Sequence, residues 1–301
     1  MASTDGVPSH LEPPHRTPEI THHVHVVGSD LPAPLQDHIY RCYEIAYQES
    51  RERRLRLPIS ATTDPYLNVT LSGTAIIRIG AGFRLPPVTL AGPQAAPYTA
   101  ELEGLIHGFY IHFAPVGPLV LLGVEDYALT ERGARPLHAM VRSDLAAPTR
   151  RWEQALLEAS SFEERLERTT SFLLDCAAPP DRRARVLRAA IDRIEDAGGN
   201  LLIRDVAQHV GTSPSTLRRY FRALGMPPKR FASIVRFRRA HAFLTRTPGA
   251  TWSEVVARFG YADQAHFVRE YRRFSGTTPT QWDPKKRPVD RRMGIEDPPD
   301  D

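Results

Sequence analysis

Arginines recur at helical spacing in two stretches near the end of this 301-residue sequence. Arg218, Arg219 and Arg222 fall within residues 214–224, and Arg269, Arg272 and Arg273 fall within 264–274. A guanidinium is a planar fork of donors that grips phosphate oxygens in pairs and matches the O6/N7 edge of guanine. Gln264 carries a donor beside an acceptor, the pattern that suits the N6/N7 edge of adenine. The alternative for each is a solvated helix charge. Charge balance decides between them: residues 181–301 hold 24 basic and 14 acidic side chains, whereas residues 1–180 hold 15 and 21. A basic half on an acidic half points to a polyanion partner for the C-terminal half alone.

Short helices must present these residues. Ile203-Arg204-Asp205-Val206-Ala207-Gln208-His209-Val210 precedes Gly211-Thr212-Ser213, and a second helix follows from Pro214. Gly211 suits a positive φ at the end of the first helix, Ser213 suits the cap of the second, and Pro214 suits its first position. Leu217, Phe221 and Leu224 supply the buried face, which leaves Ser215, Arg218, Arg219 and Arg222 for other faces. This is a helix-turn-helix pattern. It repeats. Thr251-Trp252-Ser253-Glu254 is a capping box. Gly260-Tyr261-Ala262 is the turn, Asp263 the next cap, and Phe267, Tyr271 and Phe274 the buried face. Setting Leu217 against Phe267 aligns the units at an offset of 50, with Ser215 on Ala265 and Arg219 on Arg269. Between them, residues 228–245 read as a linker helix of about 27 Å. That length lets two recognition helices enter successive major grooves about 34 Å apart. An amphipathic helix ending at Gly198-Gly199 precedes both units.

The stretch from about Arg183 to Trp282 resembles the DNA-binding domain of the AraC-type transcription regulators. The pieces that carry the resemblance are DVAQHVGTSPSTLRRYFRALGMPPKRF, RFRRAHAFL and VVARFGYADQAHFVREYRRFSGTTPTQW. It covers about a third of the chain and implies sequence-specific regulation of transcription, with double-stranded DNA and RNA polymerase as partners. The family's base-facing positions fall on Ser215, Arg218 and Arg219, and on Gln264, Ala265, Val268 and Arg269. Ala265 and Val268 stand where the family often has Ser or Thr, and both suit a thymine methyl. Thr212, Ser213, Arg222, Lys229, His266, Arg272 and Arg273 are expected on phosphates, which take most contacts in such complexes.

The N-terminal half reads differently. Residues 57–113 are β-rich, with Leu67–Leu71 and Ala75–Ile79 flanking Ser72-Gly73-Thr74 as an expected hairpin, and short strands near residues 88–90, 98–102 and 108–113. Residues 115–123 read as a short helix and 150–176 as one longer helix. Gly92-Pro93-Gln94 and residues 108–124 resemble, more loosely, the sensor regions attached to such DNA-binding domains. The expectation is an α+β chain: a mobile tail (1–20), a β-rich sensor or dimerisation domain with flanking helices (21–180), an all-α domain of two helix-turn-helix units (181–283) and a polar tail (284–301). Ala177-Ala178-Pro179-Pro180-Asp181 marks the boundary.

Other function classes find less support. No apolar run approaches a membrane span, and the N-terminus lacks a secretory pattern. Cys42 and Cys176 are 134 positions apart and give neither a disulfide framework nor a zinc site. His10, His15, His22, His23 and His25 read as a solvated His-rich terminus rather than a metal site, which needs a rigid frame. His107 and His112 lie near Glu101 and Glu103 without the spacing of a catalytic metal set, so structural histidines are expected. The reading is therefore a cytoplasmic, non-enzymatic regulator without cofactor, open to a small-molecule effector and to homodimer formation. The alternatives are an enzyme domain fused to a DNA-targeting module, and a constitutive DNA-binding protein whose first domain only dimerises.

Overall fold

Alternating apolar residues in the first half and helix-phased ones in the second lead to an α+β chain. The computed structural model describes residues 19–48, 55–125, 135–247 and 249–282. Among these, seven strands form one antiparallel sheet: β1 (Glu19–Val27), β2 (Ile39–Gln48), β3 (Leu55–Ile59), β4 (Tyr66–Arg78), β5 (Phe83–Arg84), β6 (Val88–Ala91) and β7 (Tyr98–Phe113). Helix α1 (Ala33–Gln36) lies between β1 and β2, and α2 (Gly117–Leu122), α3 (Ala146–Glu158) and α4 (Phe162–Cys176) follow the sheet. The helical half contains α5 (Arg182–Asp196), α6 (Ile203–His209), α7 (Pro214–Phe221), α8 (Pro228–Arg246), α9 (Trp252–Phe259) and α10 (Gln264–Ser275). The tails expected at 1–20 and 284–301 lie outside the described residues, except that β1 already begins at Glu19. His10 and His15 lie outside them too.

Strands β4 and β7 form the spine of the sheet. β7 pairs with β4 along its length, with β2 over its second half and with β3 over its first. The hairpin expected around Ser72-Gly73-Thr74 does not form. β4 runs straight through it, and the expected strands at 98–102 and 108–113 are the two ends of β7. The turn-like residues instead make a bulge. Gly73 has φ +80° and Gly104, opposite it, φ +84°, and a Cβ on Gly73 would meet Ile106 Cδ1 at 2.4 Å. Ser72 Oγ donates to Leu105 O across this gap at 2.6 Å. A bulge and a tight turn both need glycine; the long partner strand decided for the bulge.

One sheet face packs Leu67, Val69, Phe109, Ile111 and Phe113 against Leu121, Leu122, Trp152 and Leu173 of the helices. The other gathers Tyr43, Ile45, Leu57, Ile59, Leu102 and Ile106. The single helix expected over 150–176 is two, α3 and α4, broken where Ser161 caps α4 by accepting from Glu164 N at 3.2 Å. Behind that cap the buried Arg165 joins Glu44 of β2 at 2.9 Å, while His107 bonds the other Glu44 oxygen at 2.6 Å. The short helix expected at 115–123 is α2, closed by Gly123 at φ +64°.

The helical half has its own core, in which Leu187, Ile191 and Ile194 of α5 meet Leu217, Phe221, Phe231, Phe237, Phe267, Tyr271 and Phe274. Ala61 and Val116 from the first half join this core. Two loops of the sheet domain also grip it. Thr62 and Gln94 exchange backbone hydrogen bonds of 3.0 and 2.8 Å, which ties the β3–β4 loop to the β6–β7 loop. From this clip Ala61 N donates to Phe274 O of α10 at 2.8 Å, and Ala95 O accepts from Arg230 Nη1 of α8 at 3.3 Å.

Candidate nucleic-acid interface

Local chemistry builds each unit as its residues dictate. In the first, α6 ends before Gly211, whose φ is +63°. Ser213 then caps α7 by accepting from Thr216 N at 3.1 Å. In the second, Glu254 N donates to Thr251 Oγ1 at 3.3 Å while Thr251 N donates back to Glu254 Oε2 at 2.6 Å, closing the capping box at the start of α9. Asp263 Oδ1 caps α10 by accepting from His266 N at 2.6 Å. The caps of α7 and α10 keep the 50-residue offset, but the left-handed glycines do not. Gly211 precedes its cap by two residues and Gly260, at φ +67°, precedes its cap by three. The two turns are therefore not superimposable copies.

Burial sorts the candidate residues. Ser213, Ser215, Arg218, Arg219, Arg222 and Lys229 are exposed, as are Gln264, Ala265, Arg269, Arg272 and Arg273. Leu217, Phe221, Phe267, Tyr271 and Phe274 are all buried. With about 100° per residue, Ser215 and Arg219 on α7, and Ala265 and Arg269 on α10, point opposite those core faces, and Arg222 and Arg272 follow one turn on. Thr212 is half-buried. Two residues turn partly inward. Val268 is half-buried against the helical core. His266 stacks edge-on to Tyr261, and its Nδ1 accepts from Ala262 N at 3.3 Å, so this ring belongs mainly to the turn. Gln264 Nε2 donates to Ser253 Oγ of α9 at 3.0 Å.

Helix α8 holds both units. Phe231 packs edge-on against Phe221 of α7, with ring centroids 5.6 Å apart. Arg236 makes a forked pair with Glu270 of α10, at 2.8 Å from Nη2 to Oε1 and 2.7 Å to Oε2, and its guanidinium lies 4.7 Å from the centre of the Tyr261 ring. His241 Nδ1 lies 2.8 Å from Tyr271 Oη.

Sequence reasoning missed a polar cluster where α8 and α5 meet the sheet domain. Arg238 Nη1 lies 3.0 Å from Asp64 Oδ2, and Asp64 also meets His112 Nε2 at 3.1 Å and Thr63 Oγ1 at 2.9 Å. Tyr66 stacks on the His112 ring. Burial by itself would raise the Asp64 carboxyl; the Arg238 guanidinium and the His112 and Thr63 hydrogen bonds outweigh it and hold the group well below the usual carboxylate range. Burial pushes the His112 imidazole down, against the raising effect of its Asp64 partner. On α5, burial and then the Asp64 charge push the Glu195 carboxyl up to about 7. Nothing local in Thr62-Thr63-Asp64-Pro65 announces a partner on α8. The loosely family-like Gly92-Pro93-Gln94 supplies the other half of the clip beside it.

Among the described residues no helix is long and apolar enough to cross a membrane. Residues 206–285 match a family model described as a helix-turn-helix domain. No curated protein matches the chain. Among solved structures, ToxT from Vibrio cholerae aligns over 80% of this chain and 97% of its own, at 10% identity and a TM-score of 0.44. ToxT from Vibrio cholerae O395 bound to (E)-4-(8-methylnaphthalen-1-yl)but-3-enoic acid aligns over the same shares, at 11% identity and 0.43. The AraC-like transcriptional activator CuxR aligns over 76% of this chain and 78% of its own, at 14% identity and 0.24. The family match begins within α6 and runs through both turns, α8 and α10, so residues 206–285 of this chain form a helix-turn-helix domain.

Proposed function

We propose that the chain is a sequence-specific DNA-binding regulator of transcription whose first domain, residues 21–180, controls a DNA-reading domain, residues 181–283. The observation that carries the reading is the pair of exposed faces Ser215/Arg219/Arg222 and Ala265/Arg269/Arg272, held on the single helix α8. Arg218, Arg219, Gln264 and Arg269 read bases, with Ser215, Ala265 and the exposed part of Val268 beside them. Thr212, Ser213, Arg222, Lys229, Arg272 and Arg273 hold phosphates. RNA polymerase is the downstream partner, and a small-molecule effector or a second copy of the chain acts through the first domain. The Asp64–Arg238 pair and the Ala95–Arg230 bond beside the Thr62/Gln94 clip support that control, because they join the sheet to the helix that carries both units.

The test is binding-site selection with the full chain, followed by titration of the selected duplex at several salt concentrations. Selection should enrich a bipartite site with halves about one DNA turn apart. The log of affinity should fall by about 0.9 per neutralised phosphate for each log unit of salt. A flat salt response or no enriched sequence would overturn the reading.

A further inference from the structure

We propose that Ser253 is a positioning residue for Gln264 and that the pair selects adenine in the half-site read by the second unit; this rests on the DNA-reading role proposed above for α10. Ser253 is the second residue of α9 and Gln264 the first of α10, so the 3.0 Å bond from Gln264 Nε2 to Ser253 Oγ spans the turn of the motif. Ser253 caps nothing, since Thr251 and Glu254 already close the start of α9. Ser253 is an exposed residue, and the bond its hydroxyl accepts is the one from Gln264.

The chemistry follows from donor counting. A carboxamide has two N–H groups and one carbonyl oxygen. One N–H given to Ser253 leaves one N–H and the whole of Oε1. That remaining donor–acceptor pair complements adenine N7 and N6. An unheld glutamine on an exposed surface samples several rotamers and must lose that freedom on binding; Ser253 removes part of the loss beforehand. The first unit has no such device. Its counterpart of Gln264, the first residue of α7, is Pro214, which has no polar side-chain atom to be held. Its hydroxyl network runs instead within the cap, from Ser213 Oγ to Ser215 Oγ at 2.9 Å and to Thr216 Oγ1 at 3.0 Å. Adenine selection by a held amide is therefore a property of one half-site.

The experiment is binding-site selection on the full chain as wild type, Ser253→Ala, Ser253→Thr, Gln264→Ala and the Ser253→Ala/Gln264→Ala double variant. Wild type should prefer adenine at one position of one half-site by about tenfold, and Gln264→Ala should lose that preference. Ser253→Ala should cut it to about threefold at the same position and leave the other half-site unchanged. Ser253→Thr, which keeps the hydroxyl, should restore it, and the double variant should match Gln264→Ala. Failure of wild type to enrich any sequence would remove the DNA-reading proposal itself. Enrichment that Gln264→Ala leaves unaltered would remove Gln264 as a reader. A Ser253→Ala variant that keeps the full preference, or that weakens all sequences equally, would show that Ser253 does not position the amide.

Discussion

Arg238 and Asp64 stand 174 positions apart in the chain and meet in an ion pair of 3.0 Å, with Asp64 only 2% exposed and Arg238 12%. Two charges taken this far from water pay a desolvation cost that their attraction roughly offsets, so the pair adds little net stability. Losing one partner is different, because it strands the other charge.

Asp64→Asn should therefore destabilise the fold by about 3–5 kcal/mol. A double replacement with Leu at 64 and Met at 238 should recover most of that loss. Urea unfolding with proteolysis at the domain boundary would measure both. The folded Asp64 pKa is depressed, so its stabilising share is present above its unfolded pKa of about 3.9 and is lost as pH falls through the folded value. Wild type should lose stability more steeply than Asp64→Asn below about pH 4. Equal acid limbs would contradict the pairing.

Glu195 has the opposite sign. Its carboxyl is raised to about 7 by burial first and by Asp64 second. A carboxyl that prefers its proton when folded contributes stability below its unfolded pKa and loses it as pH rises through the folded one. Between about pH 4.5 and 7 wild type should lose up to about 3 kcal/mol relative to Glu195→Gln, which cannot ionise. Thermal melts of both proteins from pH 5 to 8 would show the curves diverging toward alkaline pH; parallel curves would show that Glu195 stays ionised.

Two glycines separate strain from collision. Gly211, at φ +63°, has nothing within 4 Å of an added Cβ. Gly199, at φ +72°, would place a Cβ 2.0 Å from Ala232 O of α8. Gly211→Ala should cost only the left-handed penalty of about 1–2 kcal/mol. Gly199→Ala must also push α5 away from α8 and should cost several times more, or prevent folding. Denaturant midpoints of the two variants give the comparison, and similar values would contradict the packing.

Arginine replacements should divide by the face they occupy. Arg219→Ala and Arg269→Ala should each weaken binding to the selected site by about 1–3 kcal/mol and relax preference at one or two base pairs. Arg273→Ala should weaken all sequences alike and lower the salt slope by about one. Selection and salt titration on the three variants would expose a swap of these roles.

The parts of this architecture that depend on neighbours in sequence were readable from the sequence. Ser213, Asp263 and the Thr251/Glu254 box cap the helices they were expected to cap, because each bond spans only three residues. Ser72-Gly73-Thr74 reads locally as a turn, and only β7, some thirty residues on, makes it a bulge. The break between α3 and α4 did carry a local signal. Ser160 donates to the Glu164 carboxylate and Ser161 accepts from the Glu164 amide, a serine-to-glutamate spacing that the continuous apolar phase around it masks. The Asp64–Arg238 pair left no local trace at all, since each residue acquires its meaning from an element in the other half.

Helix α8 acts as a common shaft. Its Arg236 side engages the second helix-turn-helix unit, its Phe231 end the first, and its Arg238 side the sheet. On the proposed control by the first domain, a displacement delivered at Arg238 would reach both units through this one helix. The two halves of an operator would then be engaged or released together, and a signal arriving at the sheet would act as a toggle on the whole site rather than as a dial on either half.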